Sequence, residues 1–186
     1  MSAFPIHDET TAPAASRPLL EGARKSLGFV PNLFGLLAGS PAALEAYQSL
    51  SAIFDKTSLD PTERQVVLIT TSVTNGCDYC VAAHSKISEL QKLPSDVIEA
   101  LRNETPLPGK LEALRTFTKA LLARQGWADE NDIAAFTAAG FDRAQVLDVI
   151  LGVTFKTLSN DANHVAGTPL DEAFAAHAWS KNEVLA

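Results

Sequence analysis

The sequence has little of three features that point to common functional classes: basic charge, cysteine and long apolar runs. Its 186 residues include 15 Lys and Arg against 22 Asp and Glu, which gives a net charge of -7. Such a surface repels polyanions, so we expect no nucleic acid among the partners. Only two cysteines occur, which are too few for a disulfide scaffold.

Neither a membrane span nor a secretion signal is apparent. A membrane helix needs roughly 18 uninterrupted apolar residues, but the most apolar run, residues 146–155, is broken by Asp148 and Gly152. The first twenty residues lack the basic and apolar regions of a signal peptide. We therefore expect a cytoplasmic protein with no membrane partner. In that reducing compartment, two cysteines are more typical of catalysis or metal binding than of a structural disulfide.

Composition and size indicate one folded domain. Hydrophobic residues make up 46% of the chain and charged residues 20%, which is typical of a globular protein. Residues 1–18 contain three prolines and no apolar period, so we predict an extended N-terminal arm that could wrap a neighbouring subunit. Residues 19–186 are predicted to form a single domain. Because helical start and stop signals recur and no set of alternating strands is found, the predicted fold is all-α.

Several helix boundaries follow from local signals. Ser40 and Asp60 each precede a proline at the first helical position, and Glu63 completes a capping box with Asp60. Gly76 is expected to end the second of these helices in a left-handed conformation. Helices are predicted at about residues 19–27, 41–54, 61–75, 77–90, 95–101, 109–124, 129–139 and 142–164, and a last one is predicted to open at residues 168–171 and to carry Phe174 and Trp179.

Two regions of the chain are similar to each other. A shift of 80 residues aligns residues 63–84 with residues 143–164 and gives six identities, including Val66 with Val146 and His84 with His164. This pattern suggests a duplicated helical hairpin of which only the first copy carries cysteines. On this interpretation His164 marks a second polar site, although a structural role for it is equally compatible with the sequence.

The segment from Asn75 to His84, NGCDYCVAAH, carries the candidate chemistry. On a helix, Cys77, Cys80 and His84 lie at i, i+3 and i+7 and share one face. The positive end of a helix and a nearby histidine both favour the thiolate form of cysteine. A second thiol can then resolve a sulfenic acid on the first to a disulfide, which is the chemistry of a thiol peroxidase or a disulfide reductase.

The two cysteines have competing claims to be the nucleophile. Position at the helix N-terminus favours Cys77, but His84 is only one turn from Cys80 and about two turns from Cys77. Only Cys80 can therefore share a proton with His84 directly or through one water. We predict that Cys80 attacks, that Cys77 resolves and that His84 is the base.

The segment PTERQVVLITTSVTNGCDYCVAAH resembles the signature of the alkylhydroperoxidase D family, within the carboxymuconolactone decarboxylase-like superfamily. Residues 28–32 and 156–164 are similar to the branch described as peroxidase-related proteins. The resemblance implies an all-helical fold, assembly into trimers or hexamers, and a peroxidatic site in which Cys80 attacks. It also implies an organic hydroperoxide as substrate and a lipoyl protein, a thioredoxin-like protein or a small thiol as reductant, with no cofactor.

One position departs from the family pattern. Twelve residues before the first cysteine the family usually carries a glutamate of the proton relay, and this chain has Gln65. An amide can orient a water but cannot take a proton near neutral pH. Peroxidase activity is then expected to be weakened, or the site to be retuned to another disulfide exchange.

Three alternatives remain open from the sequence. The cysteines and His84, with His164 as a fourth ligand, could bind zinc, although no second CxxC accompanies them. A decarboxylase of the carboxymuconolactone type is a rival function, but such enzymes usually lack the cysteine pair. A non-enzymatic redox sensor, whose oligomeric state depends on the two thiols, is the other rival.

Overall fold

The computed structural model describes residues 4–181; residues 1–3 of the predicted arm and residues 182–186 of the predicted domain lie outside the described part. Between these limits the chain forms nine α-helices and two 3-10 helices and contains no strand, so the prediction of an all-α fold is confirmed. The α-helices are α1 (Arg17–Leu27), α2 (Asn32–Leu37), α3 (Pro41–Phe54), α4 (Pro61–Asn75), α5 (Asp78–Leu90), α6 (Ser95–Arg102), α7 (Lys110–Ala123), α8 (Glu130–Ala138) and α9 (Arg143–Ala166). None of the described helices is both long and apolar enough to span a membrane.

Helix α4 is the central element of the core. It packs against α5, α7 and α9, and every residue from Gln65 to Val73 is buried. Two of the buried hydroxyls in this stretch bond within the helix: Thr71 donates to the Val67 carbonyl and Ser72 to the Leu68 carbonyl, both at 2.8 Å. The buried position of α4 holds Gln65 against His84 of α5 and Asn75 against Asn160 of α9.

The predicted caps of α3 and α4 are confirmed. The Ser40 hydroxyl accepts from the backbone of Ala43. Asp60 and Glu63 form the reciprocal capping box, in which each side chain accepts from the backbone N–H of the other residue. Gly76 ends α4 with a φ of 69°, a left-handed conformation that glycine adopts without a Cβ clash. The chain therefore reverses immediately before Cys77, and α5 starts there.

The two chain ends differ in detail from the predictions. Residues 4–13 contain no helix, but α1 begins at Arg17, two residues earlier than predicted. The N-terminal segment also contacts its own chain, since His7 donates to the Gly35 carbonyl and the Ser16 hydroxyl to the Ala38 carbonyl. At the other end, the prediction of a helix opening at residues 168–171 was wrong: a 3-10 helix spans only Glu172–His177. Trp179 lies beyond it and is held by a bond to the Arg102 carbonyl.

The proposed duplicated hairpin was also wrong. Residues 63–84 form two helices, α4 and α5, but residues 143–164 lie within the single uninterrupted helix α9. The physical reason is the residue at the break. Residues 63–84 contain Gly76 in the left-handed region, whereas the aligned position in residues 143–164 is Lys156 in regular helix. The identities between these two segments therefore reflect similar helix faces and not a repeated turn.

Candidate functional site

The two cysteines lie at the start of α5, on the inner side of the bundle. Cys77 is the N-cap residue and Cys80 lies in the first turn. Both are free thiols and each is 1% exposed. Placement at a helix N-terminus favours negative charge on sulfur because unpaired N–H groups and the helix dipole point toward it.

Helix α9 supplies the polar groups that surround the sulfurs. The amide Nδ2 of Asn163 donates to Cys80 Sγ at 3.2 Å and also lies 3.7 Å from Cys77 Sγ. The Ser159 hydroxyl is 3.7 Å from Cys80 Sγ. Asn160 is fully buried beside them, and its Oδ1 accepts from Asn75 at 3.0 Å. Together with Lys156 of the same helix, these polar side chains belong to one helix face, since positions 156, 159, 160 and 163 are spaced by three and four residues.

The surroundings distinguish the two thiols electrostatically. Burial alone would raise the pKa of Cys80. Four interactions outweigh burial and lower that pKa to about 5: a hydrogen bond from the Cys77 thiol, the charge of Lys156, and the Ser159 and Asn160 side chains. The same hydrogen bond and burial raise the pKa of Cys77 above its ordinary value. Of the two thiols, Cys80 is therefore the one whose surroundings favour the thiolate.

His84 lies between two side chains that the sequence separates widely. Its Nε2 is 2.6 Å from Lys156 Nζ, and its Nδ1 is 2.9 Å from Gln65 Oε1. Burial and the neighbouring Lys156 charge lower the pKa of His84 well below its ordinary value. A neutral ring then accepts from the ammonium at Nε2 and donates from Nδ1 to the Gln65 carbonyl oxygen, which assigns the tautomer. His84 is thus bonded to Lys156 and Gln65, and neither ring nitrogen is bonded to Cys80.

An apolar pocket of about 280 Å³ leads to this group of side chains. Cys80, His84 and Lys156 contribute to its lining, whereas Cys77 does not. The aromatic members of the wall are Phe29, Phe34, Tyr47, Tyr79, Phe155 and Phe174. A concave, mostly apolar site with a few polar groups at one end is the usual form of a small-molecule site.

The sequence pattern of the carboxymuconolactone decarboxylase family matches residues 40–139 of this chain. The match covers more than half of the sequence and includes Gln65, Cys77, Cys80 and His84. The chain belongs to the carboxymuconolactone decarboxylase family. No match was found among curated protein sequences.

Solved structures share the fold of this family member over nearly its whole length. A crystal structure from Ralstonia eutropha JMP134, described as an alkylhydroperoxidase AhpD core and an uncharacterized peroxidase-related protein, has a TM-score of 0.79 and 26% identity over 93% of this chain and 94% of that chain. A peroxidase-related protein from Silicibacter sp. TM1040 gives 0.79 at 19% identity, covering 92% of each chain. The debrominase Bmp8 in complex with 2,3,4-tribromopyrrole gives 0.77 at 16% identity, covering 99% and 100%. The resemblance to alkylhydroperoxidase D-like proteins is thereby confirmed.

In this family member, the residues that sequence reasoning missed all come from α9. Lys156, Ser159, Asn160 and Asn163 surround the Cys80 sulfur or His84, and all four follow the region matched by the family pattern. Two signals could have found them: they are polar positions at helical spacing, and they lie within residues 156–164, which resemble the peroxidase-related branch.

His164 lies apart from the sulfurs, on the exposed side of α9. The structure therefore does not bring it together with Cys77, Cys80 and His84. Among residues 4–181, no three or more His, Cys, Asp and Glu side chains are arranged to hold a metal ion.

Proposed function

We propose that this protein is a thiol-dependent peroxidase that reduces organic hydroperoxides at Cys80. The observation that carries the proposal is the difference between the two thiols. Cys80 has the lowered pKa and lines the apolar pocket, whereas Cys77 has the raised pKa and does not line it. An electrophile that enters the pocket meets a thiolate at Cys80 first.

The first two steps use both cysteines. The Cys80 thiolate attacks the outer oxygen of ROOH, the O–O bond breaks, and Cys80 becomes a sulfenic acid. The leaving RO⁻ takes a proton at the end of the pocket where Lys156 and His84 lie. The Cys77 thiol then attacks the Cys80 sulfur, so that a disulfide forms and the hydroxyl leaves as water with the Cys77 proton.

His84 and Gln65 complete the proposed proton path. Because Cys80 is already ionised at rest, its attack needs no base. The neutral His84 accepts a hydrogen bond from the Lys156 ammonium at Nε2 and so positions the group that protonates the leaving alkoxide, and Gln65 fixes the tautomer of His84 by accepting from Nδ1. A carboxylate at position 65 would hold the same bond but would also stabilise a protonated ring, which the amide does less well.

The third step is reduction of the disulfide by two electrons from an external dithiol. Both sulfurs are 1% exposed, so a slender reductant that enters a pocket is favoured over one that needs a wide contact surface. A lipoyl group or a small thiol has that shape. Thiol–disulfide exchange through a mixed disulfide then restores the reduced pair.

The exposed apolar side chains support the homo-oligomer that the resemblance implies. Trp127 is 83% exposed, and Leu147, Ile150 and Val165 project from the outer face of α9. Exposed apolar side chains of this size would be removed from water in a subunit contact. We propose a trimer or a hexamer, which sedimentation equilibrium would distinguish from a monomer.

Steady-state turnover tests the proposed function. Consumption of cumene hydroperoxide is followed with dihydrolipoamide as reductant, for wild type, Cys80→Ser, Cys77→Ser and the control His164→Ala, whose side chain is exposed on α9. We expect turnover by wild type and the control, none by Cys80→Ser and at most one turnover by Cys77→Ser. A wild-type rate no faster than that of free cysteine, or activity in Cys80→Ser, would contradict the proposal.

Six aromatic rings in the pocket wall favour one second candidate, reductive dehalogenation of a small aromatic compound. In that reaction the Cys80 thiolate takes the halogen and the ring carbon takes a proton; the Cys77 thiol then displaces halide, leaving a disulfide and a proton. The debrominase Bmp8, which shares the fold, is known in complex with 2,3,4-tribromopyrrole. Bromide release from a bromopyrrole by wild type, without hydroperoxide turnover, would favour this candidate.

A further inference from the structure

Lys156 is a buried cation that lacks a carboxylate partner. It lies in the middle of α9, is 1% exposed, and takes part in none of the ion pairs formed between residues 4 and 181. An isolated buried charge is costly and is normally paired with an opposite charge or neutralised. We therefore expect an anionic group close to Lys156 that offsets the cost of its burial.

The groups that face Lys156 come from three helices. His84 of α5 accepts from Nζ at 2.6 Å, and the rings of Phe155 and Tyr47 lie 4.9 and 5.9 Å from Nζ. The other titratable neighbours are Cys80 and Cys77. His84 and the rings are neutral, so they cannot balance the charge.

Only one of these neighbours can be anionic near neutral pH. Burial raises the pKa of Tyr47, and the pKa of Cys77 is raised as well. The pKa of Cys80 is lowered to about 5, in part by Lys156. Burial alone would lower the pKa of Lys156, but Tyr47 and the two cysteines raise it. The lowered pKa of Cys80 and the raised pKa of Lys156 both reflect the attraction between a thiolate and an ammonium.

We propose that Lys156 is the proton donor and acceptor of this site: an ammonium paired with the Cys80 thiolate at rest, and a neutral amine while Cys80 is oxidised. The inference deepens the proposed function and rests on it for the catalytic steps, whereas the resting ion pair is argued from the burial of Lys156 and from its place beside Cys80 in the pocket wall. It assigns a role to a residue outside the CxxC segment.

Charge balance through the cycle follows directly. When the thiolate attacks ROOH, the ammonium gives its proton to the leaving alkoxide, so that a sulfenic acid, an amine and ROH replace the ion pair. After the disulfide has formed, the amine takes the proton of the reductant thiol, which attacks as a thiolate. A mixed disulfide forms, the second reductant thiol resolves it and gives its proton to Cys77, and the Cys80 thiolate is restored beside an ammonium. At no stage does this mechanism leave a buried charge without its partner.

The ion pair is tested by titrating the thiolate of Cys80 through its absorbance near 240 nm, in the Cys77→Ser protein without peroxide. The serine hydroxyl keeps a donor at position 77. Lys156→Met is compared with Lys86→Met, because Lys86 lines the same pocket but pairs with Glu89 at 2.8 Å in a partly exposed position.

The control is expected to keep a midpoint near pH 5, whereas Lys156→Met is expected to raise it by about 1 to 3, the usual effect of an opposite charge at this range. At pH 6 the ionised fraction of Cys80 would fall from about nine-tenths to between one-half and one-hundredth. An unchanged midpoint in a folded Lys156→Met protein would overturn the inference.

A second measurement uses the wild-type residue. The ¹⁵Nζ shift of Lys156 is followed against pH in the reduced Cys77→Ser protein before and after Cys80 is blocked with methyl methanethiosulfonate. Blocking removes the thiolate, so the titration of Lys156 should move to lower pH; the same midpoint in both states would overturn the inference. Neither measurement needs turnover, so both hold if the protein is not a peroxidase. If the protein turns over peroxide but Lys156→Met leaves the Cys80 titration unchanged, the proposed role of Lys156 is refuted and the proposed function is not.

Discussion

In the Cys77→Ser protein, which lacks the Cys77 sulfur that Asn163 also contacts, replacing Asn163 by leucine removes the hydrogen bond to the Cys80 sulfur. The Asn163 amide donates at 3.2 Å, and its own Oδ1 accepts no bond from another described group. Leucine has a similar volume and fits an interior position. The substitution therefore isolates the contribution of this donor to the thiolate.

The size of the effect follows from the charge on the acceptor. A hydrogen bond to a charged group contributes about 1.5–3 kcal/mol, and 1.36 kcal/mol corresponds to one pKa unit. The Asn163→Leu substitution should therefore raise the pKa of Cys80 from about 5 to about 6 to 7. Since only the thiolate reacts, alkylation at pH 5.5 should slow by about 3- to 25-fold, with no change above pH 8.

The assay is the rate of iodoacetamide alkylation of Cys80 between pH 4 and 9, read by mass spectrometry in the Cys77→Ser protein. His164→Ala, on the neighbouring exposed position, is the matched control and should leave the profile unchanged. In each protein the rate rises as pH increases through the pKa of Cys80 and is constant above it. An Asn163→Leu profile that overlays the control would refute the assignment of Asn163 as a thiolate donor.

Three further predictions concern the relay and the scaffold. Gln65→Glu places a carboxylate against His84 Nδ1, so it should raise the pKa of His84 and increase peroxide turnover; an unchanged histidine NMR titration would count against the relay. Gly152→Ala adds a Cβ only 2.7 Å from the Phe54 ring. It should lower the free energy of unfolding by about 1–3 kcal/mol in urea titrations, and an unchanged free energy of unfolding would mean that the ring moves aside freely. Asp60→Ala removes the capping box of α4 and should cost about 1 kcal/mol by the same assay without altering the reactivity of the thiols; a slowed alkylation would link the cap to the site.

Local signals in the sequence were sufficient for the part of the site that lies within one segment. The capping residues at Asp60 and Glu63 and the glycine at position 76 set the ends of α4, and those ends place Cys77 at the start of α5. The spacing of Cys77 and Cys80 then fixes their common face. These features depend on helix geometry and backbone conformation, which neighbouring residues determine.

The remaining part depends on tertiary packing between distant segments. Lys156 is 72 residues from His84 in the chain, and a lysine within a helix usually marks a solvated face. Its burial follows only from the packing of α9 against α3, α4 and α5. For the same reason, the expectation that His84 would bond to Cys80 did not anticipate a cation that competes for the ring.

The central claim is that Cys80 is the thiol that reacts with hydroperoxide, and rapid mixing tests it most directly. Reduced Cys77→Ser and Cys80→Ser proteins are mixed with cumene hydroperoxide, and sulfenic acid is trapped with dimedone and located by mass spectrometry. The account predicts rapid dimedone labelling at Cys80 in the first protein and none at Cys77 in the second. Labelling of Cys77 in the Cys80→Ser protein, or oxidation of Cys80 no faster than that of free cysteine, would contradict it.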